Sequence, residues 1–299
     1  MKRSMSLVLA LCLLAACAAG GEDGDGRAGP FTLLDEGAAT LNPSGPFMTT
    51  PAWVADGSAL VTRGLDGKGL YILGMSGSVL AVDASFGGFM EWTERGRSLC
   101  LHRGEDAEIL TFDGAPAAVE SLTLAGSACN PGQDIYATQR KIFESGGRSV
   151  LFDLWTGRLW IEGQDGVLEI EASAAWGPAV SPDGTKIAFS KGHLATATLF
   201  IVDAVGGSRG SFHGAQPDWF PDGRKLVYAK PGAGGGGGAV TRSDLFVYDV
   251  EGGASSPLTA TPGIVEMQPA VSPDGRTVAF SDWRSGRIMA IPCAGEVTP

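Results

Sequence analysis

The chain is short of charge, of histidine and of cysteine. Asp, Glu, Lys and Arg make up 18% of its 299 residues, and 22 basic groups stand against 33 acidic ones. The formal net charge of −11 argues against a nucleic-acid groove or an anionic-lipid surface as main partner, since both are held by clustered Lys and Arg. Three histidines, His102, His193 and His213, offer little to a metal centre, and no two stand at ligand spacing. Five cysteines are too few and too scattered for a disulfide framework. No Gly-X-Y period is present, which excludes collagen. Beyond the first twenty residues no apolar run reaches the length of a membrane-spanning helix. What is plentiful is apolar surface and turn formers: 44% hydrophobic residues, 45 Gly and 17 Pro. The first excludes a disordered chain. The second suits many short strands joined by tight turns.

The N-terminus reads as an address. Met1-Lys2-Arg3 is a basic start, and Leu7 to Ala19 is an apolar stretch too short to cross a bilayer. It contains Leu14-Ala15-Ala16-Cys17, which resembles the lipobox of bacterial lipoproteins. The resemblance implies a signal peptide over 1–16, a lipidated Cys17, and a flexible acidic tether over 17–30. The other reading is an ordinary secretory signal with an incidental cysteine. Ala18 after the cysteine, by resemblance to the enterobacterial sorting rule, favours the periplasmic face of the outer membrane (or the cell surface). Asp23-Gly24-Asp25-Gly26 looks like a piece of a calcium loop, but Leu34 stands where the loop needs its Glu. Removing Lys2 and Arg3 leaves the mature chain more acidic still.

The remainder is a repeat. SPDGTKIAFS from Ser181, FPDGRKLVYA from Phe220 and SPDGRTVAFS from Ser272 are near copies. Pro presets φ in a tight turn, Asp follows, and Gly takes the left-handed position. The β-branched and aromatic runs after them suit strands apolar on both faces. Looser copies start at Pro51, Met90 and Ser127. A third strand is expected in each unit: Leu70–Leu73, Ile109–Phe112, Val150–Asp153, Leu199–Asp203, Leu245–Asp249 and Ile288–Ile291. Four short strands every ~40–50 residues is a propeller period. The expected architecture is an all-β, six-bladed propeller over 31–299, with blade cores starting near 51, 89, 127, 178, 217 and 269. Phe31–Asp35 is expected to complete the last blade. The hairpins resemble the WD-like repeats of TolB-type β-propellers, three blades strongly and three loosely. Pro182, Asp183, Gly184, Pro221, Asp222, Gly223, Pro273, Asp274 and Gly275 are the structural turn residues of that pattern.

No convergent catalytic set stands out. Gly206-Gly207-Ser208-Arg209-Gly210 matches G-x-S-x-G, which needs a following helix, and here follows a strand at a blade's second turn. Gly232–Gly238 lacks the Lys-Ser/Thr of a phosphate loop. Trp53, Trp92 and Trp219 share one repeat column and read as packing between blades, against the alternative of a sugar platform with Trp176. Cys100 and Cys129 lie in neighbouring blades, so a bridge is conceivable, but apolar neighbours favour buried thiols, Cys293 included. Loops entering the inner strands, and those joining second to third strands, surround the channel mouth. They bring forward Thr50, Phe89, Gly177, His213, Gln216, Asp218, Glu266, Gln268, Trp283 and Arg284, with Trp283-Arg284 either an exposed anchor or a snug cap on its loop.

The expected function is a lipid-anchored, non-enzymatic interaction scaffold of the bacterial cell envelope, TolB-like, and monomeric. Its partners would be envelope proteins, with membrane contact through the lipid alone and with no metal, cofactor or nucleic acid. TolB itself carries a domain before its propeller and is not a lipoprotein, so only the propeller and its binding habit carry over. The alternative is a carbohydrate-active enzyme or small-ligand binder using the channel.

Overall fold

Each Pro-Asp-Gly copy folds into a turn between two strands. In the computed structural model, which describes residues 39–40, 48–64, 68–75, 79–83, 89–94, 97–103, 106–112, 123–126, 139–234 and 239–293, Gly184, Gly223 and Gly275 sit at φ of 70°, 64° and 71°. Their N–H groups donate to the carbonyls of Ser181, Phe220 and Ser272, at 2.8, 3.0 and 2.8 Å. Asp183, Asp222 and Asp274 accept from the N–H two residues on, at 3.0, 2.9 and 3.0 Å. In the fourth and sixth blades the serine adds a relay. Ser181 Oγ donates to Asp183 and accepts from Lys186 N–H, and Ser272 does the same with Asp274 and Thr277. The looser copy in the first blade keeps the frame: Gly57 at φ 74° donates to Val54, and Ser58 N–H donates to Asp56.

Among the described residues this gives six four-stranded antiparallel sheets. The first blade holds Met48–Trp53, Ala59–Gly64, Leu70–Gly74 and Val79–Asp83; the second Phe89–Glu94, Ser98–Arg103, Asp106–Thr111 and Thr123–Gly126. The third holds Gln139–Ser145, Arg148–Asp153, Leu159–Gly163 and Gly166–Glu171; the fourth Ala175–Val180, Lys186–Lys191, Thr198–Asp203 and Ser208–His213. The fifth holds Ala215–Trp219, Lys225–Ala233, Val240–Asp249 and Ala254–Pro257; the sixth Glu266–Val271, Thr277–Asp282 and Arg287–Pro292. The sixth blade gains its fourth strand from the N-terminal side of the chain. Ala39–Thr40 pairs antiparallel with Arg287–Pro292, Ala39 opposite Ala290 and Thr40 opposite Met289. This closes the ring and removes an open edge. The expected closing segment, Phe31–Asp35, lies outside the described residues, as do Cys17 and the tether.

The third blade corrects the repeat alignment. Its inner strand starts at Gln139, so the copy at Ser127–Thr138 lies outside the described residues. Val150–Asp153 falls in a second strand, not a third. The turn is Gly146-Gly147, both at positive φ (57° and 76°), the two-residue type whose twist matches a hairpin. It carries no Pro-Asp-Gly, so the pattern has nothing to match there.

Strands apolar on both faces are explained by the seams. Val278 and Phe280 pack toward the fifth blade with Val227, Ala229 and Leu245, whereas Ala279 packs toward Trp53 and Leu60 of the first. Leu226 and Tyr228 likewise face Leu199 and Ile201 of the fourth. Phe280 and Tyr228 are almost wholly buried; truncating such a ring to Ala costs about 3–5 kcal/mol.

Candidate binding face at the channel mouth

Each inner strand runs away from one end of the channel, and a dipeptide ending in proline marks that end in four blades: Thr50-Pro51, Gly177-Pro178, Gln216-Pro217 and Gln268-Pro269. Proline has no N–H for the ladder and keeps the residue before it out of the right-handed region. The ladder accordingly skips between Thr49 and Ala52, Trp176 and Ala179, Ala215 and Asp218, and Met267 and Ala270. Gly177, Gln216 and Gln268 take φ of 56°, 55° and 54°. Glycine does this freely; a side chain in the left-handed region costs about 1–2 kcal/mol. Two glutamines in equivalent positions therefore carry strain at the mouth.

The strain is held by bonds across the blade boundary. Gln268 N–H donates to Gln216 Oε1 at 2.9 Å, and Gln216 N–H donates to Ser190 Oγ at 3.3 Å. Gln268 Oε1 accepts from Ser281 Oγ at 3.2 Å and from Trp283 Nε1 at 3.4 Å. Asp218 Oδ2 accepts from Val271 N–H at 2.8 Å, while its Oδ1 accepts from Trp219 N–H at 3.0 Å. Gln216, Asp218, Gln268 and Trp283 thus meet at the seam of the fifth and sixth blades. His213 stands on the other side of the fifth blade. Its ring nitrogens face Ala197 O at 3.0 Å and Pro231 O at 2.7 Å, tying the fourth blade to the long second-to-third hairpin of the fifth.

Two members of the expected face are placed differently. Glu266 is not on the rim: its side chain is buried, accepting from Leu245 N–H at 3.0 Å and from the Thr259 and Thr261 hydroxyls. Burial pushes its pKa up, against the pull of these hydrogen bonds, and the nearby Asp244 adds to the rise. The first residue of an inner strand is covered here by the connection over Leu258–Val265, which makes Glu266 a staple. Trp283 is half-buried and turned onto Gln268 and the core, leaving Arg284 exposed alone with Nη2 3.5 Å from Thr241 O. The Trp-Arg pair is therefore split.

Other expectations are placed as follows. Trp53 and Trp219 are buried and donate from Nε1 to the Ala270 and Ala179 carbonyls, one blade back in each case. Ser208 opens a fourth strand after a turn in which Gly206 N–H donates to Asp203 O, so the G-x-S-x-G stretch is a hairpin. Cys293 is a free, buried thiol pushed up to about 12 by burial, with Asp274 adding to the rise. The side chains of Cys100 and His102, and all of Cys129, lie outside the described residues. Among the described residues no three His, Cys, Asp or Glu side chains converge as a metal site. The sequence reading passed over Trp155, exposed in the loop joining the second and third strands of the third blade. Its signal was present: Asp153-Leu154-Trp155-Thr156-Gly157 has the Asp-x-x-Ser/Thr-Gly frame of Asp282–Gly286.

No protein-family model matches the chain. Solved structures share its fold. Oligogalacturonate lyase from Vibrio parahaemolyticus aligns with a TM-score of 0.53 at 13% identity, over 91% of this chain and 99% of that one. A gluconolactonase from Xanthomonas campestris gives 0.55 at 16% identity, over 89% and 98%. A protein assigned as TolB from Agrobacterium tumefaciens gives 0.50 at 15% identity, over 86% and 93%. In sequence, an uncharacterized peptidase of Bacillus subtilis, YuxL, is 31% identical over 112 residues, which is 34% of this chain and only 16% of the peptidase. These likenesses show a β-propeller fold, one that TolB shares. They also correct the expectation of a non-enzymatic chain. The fold is shared with a lyase and a lactonase over about nine-tenths of this chain, and a peptidase resembles part of its sequence. A propeller without an evident catalytic set in its sequence is no ground for excluding catalysis.

Proposed function

We propose that this chain is a lipid-tethered binding propeller of the bacterial cell envelope that grips a partner protein at the channel mouth of its fourth to sixth blades. The observation that carries this reading is the pair of glutamines held left-handed before proline, Gln216 and Gln268, joined across the blade seam by a hydrogen bond. Such an arrangement presents fixed amides at an open mouth, which lowers the ordering cost of binding. The leader and Cys17 support the envelope address. A photo-cross-linking residue at Arg284, on the mouth side, is expected to capture a discrete envelope protein. The same residue at Arg224, in the turn at the opposite end, is expected to capture none. Identical adducts from both positions would sink the reading. Cys17→Ser is expected to move the protein into the aqueous phase of a detergent partition; retention with the membranes removes the lipid from the proposal.

A second reading is favoured by the fold's enzymatic neighbours: the mouth acts on a carbohydrate or another small ligand. Turnover of oligogalacturonate or gluconolactone by the mature chain, abolished by Gln268→Ala, would place catalysis ahead of partner binding.

A further inference from the structure

We propose that the loop joining the second and third strands of the third blade is a saccharide-stacking site, with the Trp155 indole as platform and an uncharged pyranose ring as ligand. Trp155 is 86% exposed and Leu154 beside it 52%, yet the loop that carries them is tightly fixed. Asp153 Oδ1 accepts from Trp155 N–H at 2.9 Å and from Thr156 N–H at 2.8 Å. Gly157 N–H donates to Asp153 O at 2.8 Å. The back of the loop is bonded to the entry of the fourth blade, Ala174 N–H to Thr156 O at 2.7 Å and Ala175 N–H to Gly157 O at 3.0 Å. The approach is so close that a Cβ on Gly157 would lie 2.5 Å from Ala175 O.

The fold does not call for an indole there. In the sixth blade the same frame is closed by Asp282, which accepts from Arg284 and Ser285 N–H at 3.0 and 3.2 Å. The position matching Trp155 holds Arg284, which is exposed. The position matching Leu154 holds Trp283, folded onto the core. The third place of the frame therefore points to water, and an exposed indole on a rigid loop gains only when something covers it.

The surroundings select a single ring rather than a protein face. A protein anchor works inside a wide patch that excludes water. Here Arg158 Nε pairs with Glu169 at 3.0 Å, and Lys191 Nζ with Glu171 at 2.9 Å. These pairs lie toward the base of the loop, Arg158 directly after it and Lys191 opposite Ala175, which bonds Gly157. Each is neutralised within itself and the loop's own Asp153 is acidic, so nothing here draws a uronate. One apolar face edged by hydrogen-bonding groups matches a neutral sugar, whose C–H face stacks on an indole while its hydroxyls reach the rim.

Calorimetric titration of the full mature chain with maltohexaose, cellohexaose and chitohexaose, and with hexagalacturonate for comparison, tests the assignment. At least one neutral hexasaccharide is expected to bind saturably. Trp155→Ala is expected to weaken it at least about tenfold with the melting temperature unchanged, because the lost side chain touches little. Trp155→Tyr, which keeps an aromatic face, is expected to restore most of it. The proposal is overturned if no neutral hexasaccharide binds, if only hexagalacturonate binds, or if binding survives Trp155→Ala. Loss of an envelope cross-link in Trp155→Ala without any saccharide binding would put a protein on the loop and equally overturn it. The mouth reading is judged separately, from cross-links at Arg284.

Discussion

The third blade and the three that follow it are built to one plan but held by different means. From the fourth blade onward, side chains write the hairpin turns through Pro-Asp-Gly and cross the seams: Trp219 to Ala179 O, Gln216 to Gln268 N–H, Asp218 to Val271 N–H, and Trp53 back to Ala270 O. In the third blade the turn is two glycines, and the seam to the fourth, besides the Lys191–Glu171 ion pair, is made by backbone bonds from Ala174 and Ala175. Side-chain joints are specific and can be lost one at a time. Backbone joints need close approach and so depend on the absence of a side chain.

The largest effect should come from violating that approach. Gly157→Ala places a methyl on a residue at φ 69° and 2.5 Å from Ala175 O. The left-handed cost of about 1–2 kcal/mol adds to overpacking of about 1–3 kcal/mol, for roughly 2–5 kcal/mol read from chemical denaturation. Gly223→Ala, at φ 64° with its nearest neighbour 3.7 Å away, should show the conformational cost alone. Equal losses would mean that the third-to-fourth seam is not governed by backbone contact. Next in size is a side-chain joint. Asp218→Ala strips Val271 N–H of its acceptor across the fifth-to-sixth seam and should cost about 1–3 kcal/mol. The accelerated amide exchange should be confined to the inner strands of those two blades.

This division also decides what could be read from the sequence. Pro182-Asp183-Gly184 and its two copies were legible because each residue type has a local job that it performs unaided. From them followed the strands, the period and the ring. The third blade was misread because Gly146-Gly147 is a generic hairpin signal, and the Ser127 copy offered a better match to the pattern than the true turn did. Closure by an N-terminal strand followed from the missing fourth strand of the last blade, but which residues close it depends on register with Ala290 and Met289, a long-range pairing. At the mouth, Gln216 and Gln268 were visible as rim residues, whereas their left-handed conformation needs proline and ladder together. Glu266 was misplaced because the cover over it comes from Thr259 and Thr261, which carry no repeat signal. Trp155 was missed because a repeat search rewards what blades share, and an exposed indole on one loop is what they do not.

A smaller effect is expected from pH at Glu266. Burial raises its folded pKa above that of the unfolded chain, so the folded state binds the proton more tightly. Stability is then fully present below the ordinary Glu range and declines as pH rises through the raised value. Glu266→Gln keeps an acceptor for Leu245 N–H and cannot ionise, so its stability should stay level across that window. A parallel decline in both proteins would assign the pH dependence elsewhere.

The smallest effect belongs at the acid end and separates the two kinds of turn. Partial burial works to raise the Asp183 pKa, but hydrogen bonds from the Ser181 hydroxyl and from the Thr185 N–H and hydroxyl, with the charge of Lys186, bring it below the ordinary Asp value. A depressed folded pKa makes its contribution complete above the unfolded pKa and lost as pH falls through the folded one. The Asp183 side chain is 52% exposed, so solvent screens its charge and the loss should stay under about 1 kcal/mol. It should appear locally as faster exchange of Thr185 N–H, which donates to Asp183 Oδ1, after correction for intrinsic rates. The turn Ser145-Gly146-Gly147-Arg148 has no carboxylate of its own, so its amides should show no matching step. Asp183→Asn should erase the step in the fourth blade while leaving the third unchanged. A step of equal size in both turns would mean that acid loosens the ring as a whole, and that the side-chain frame of the Pro-Asp-Gly turn carries no separate share of its stability.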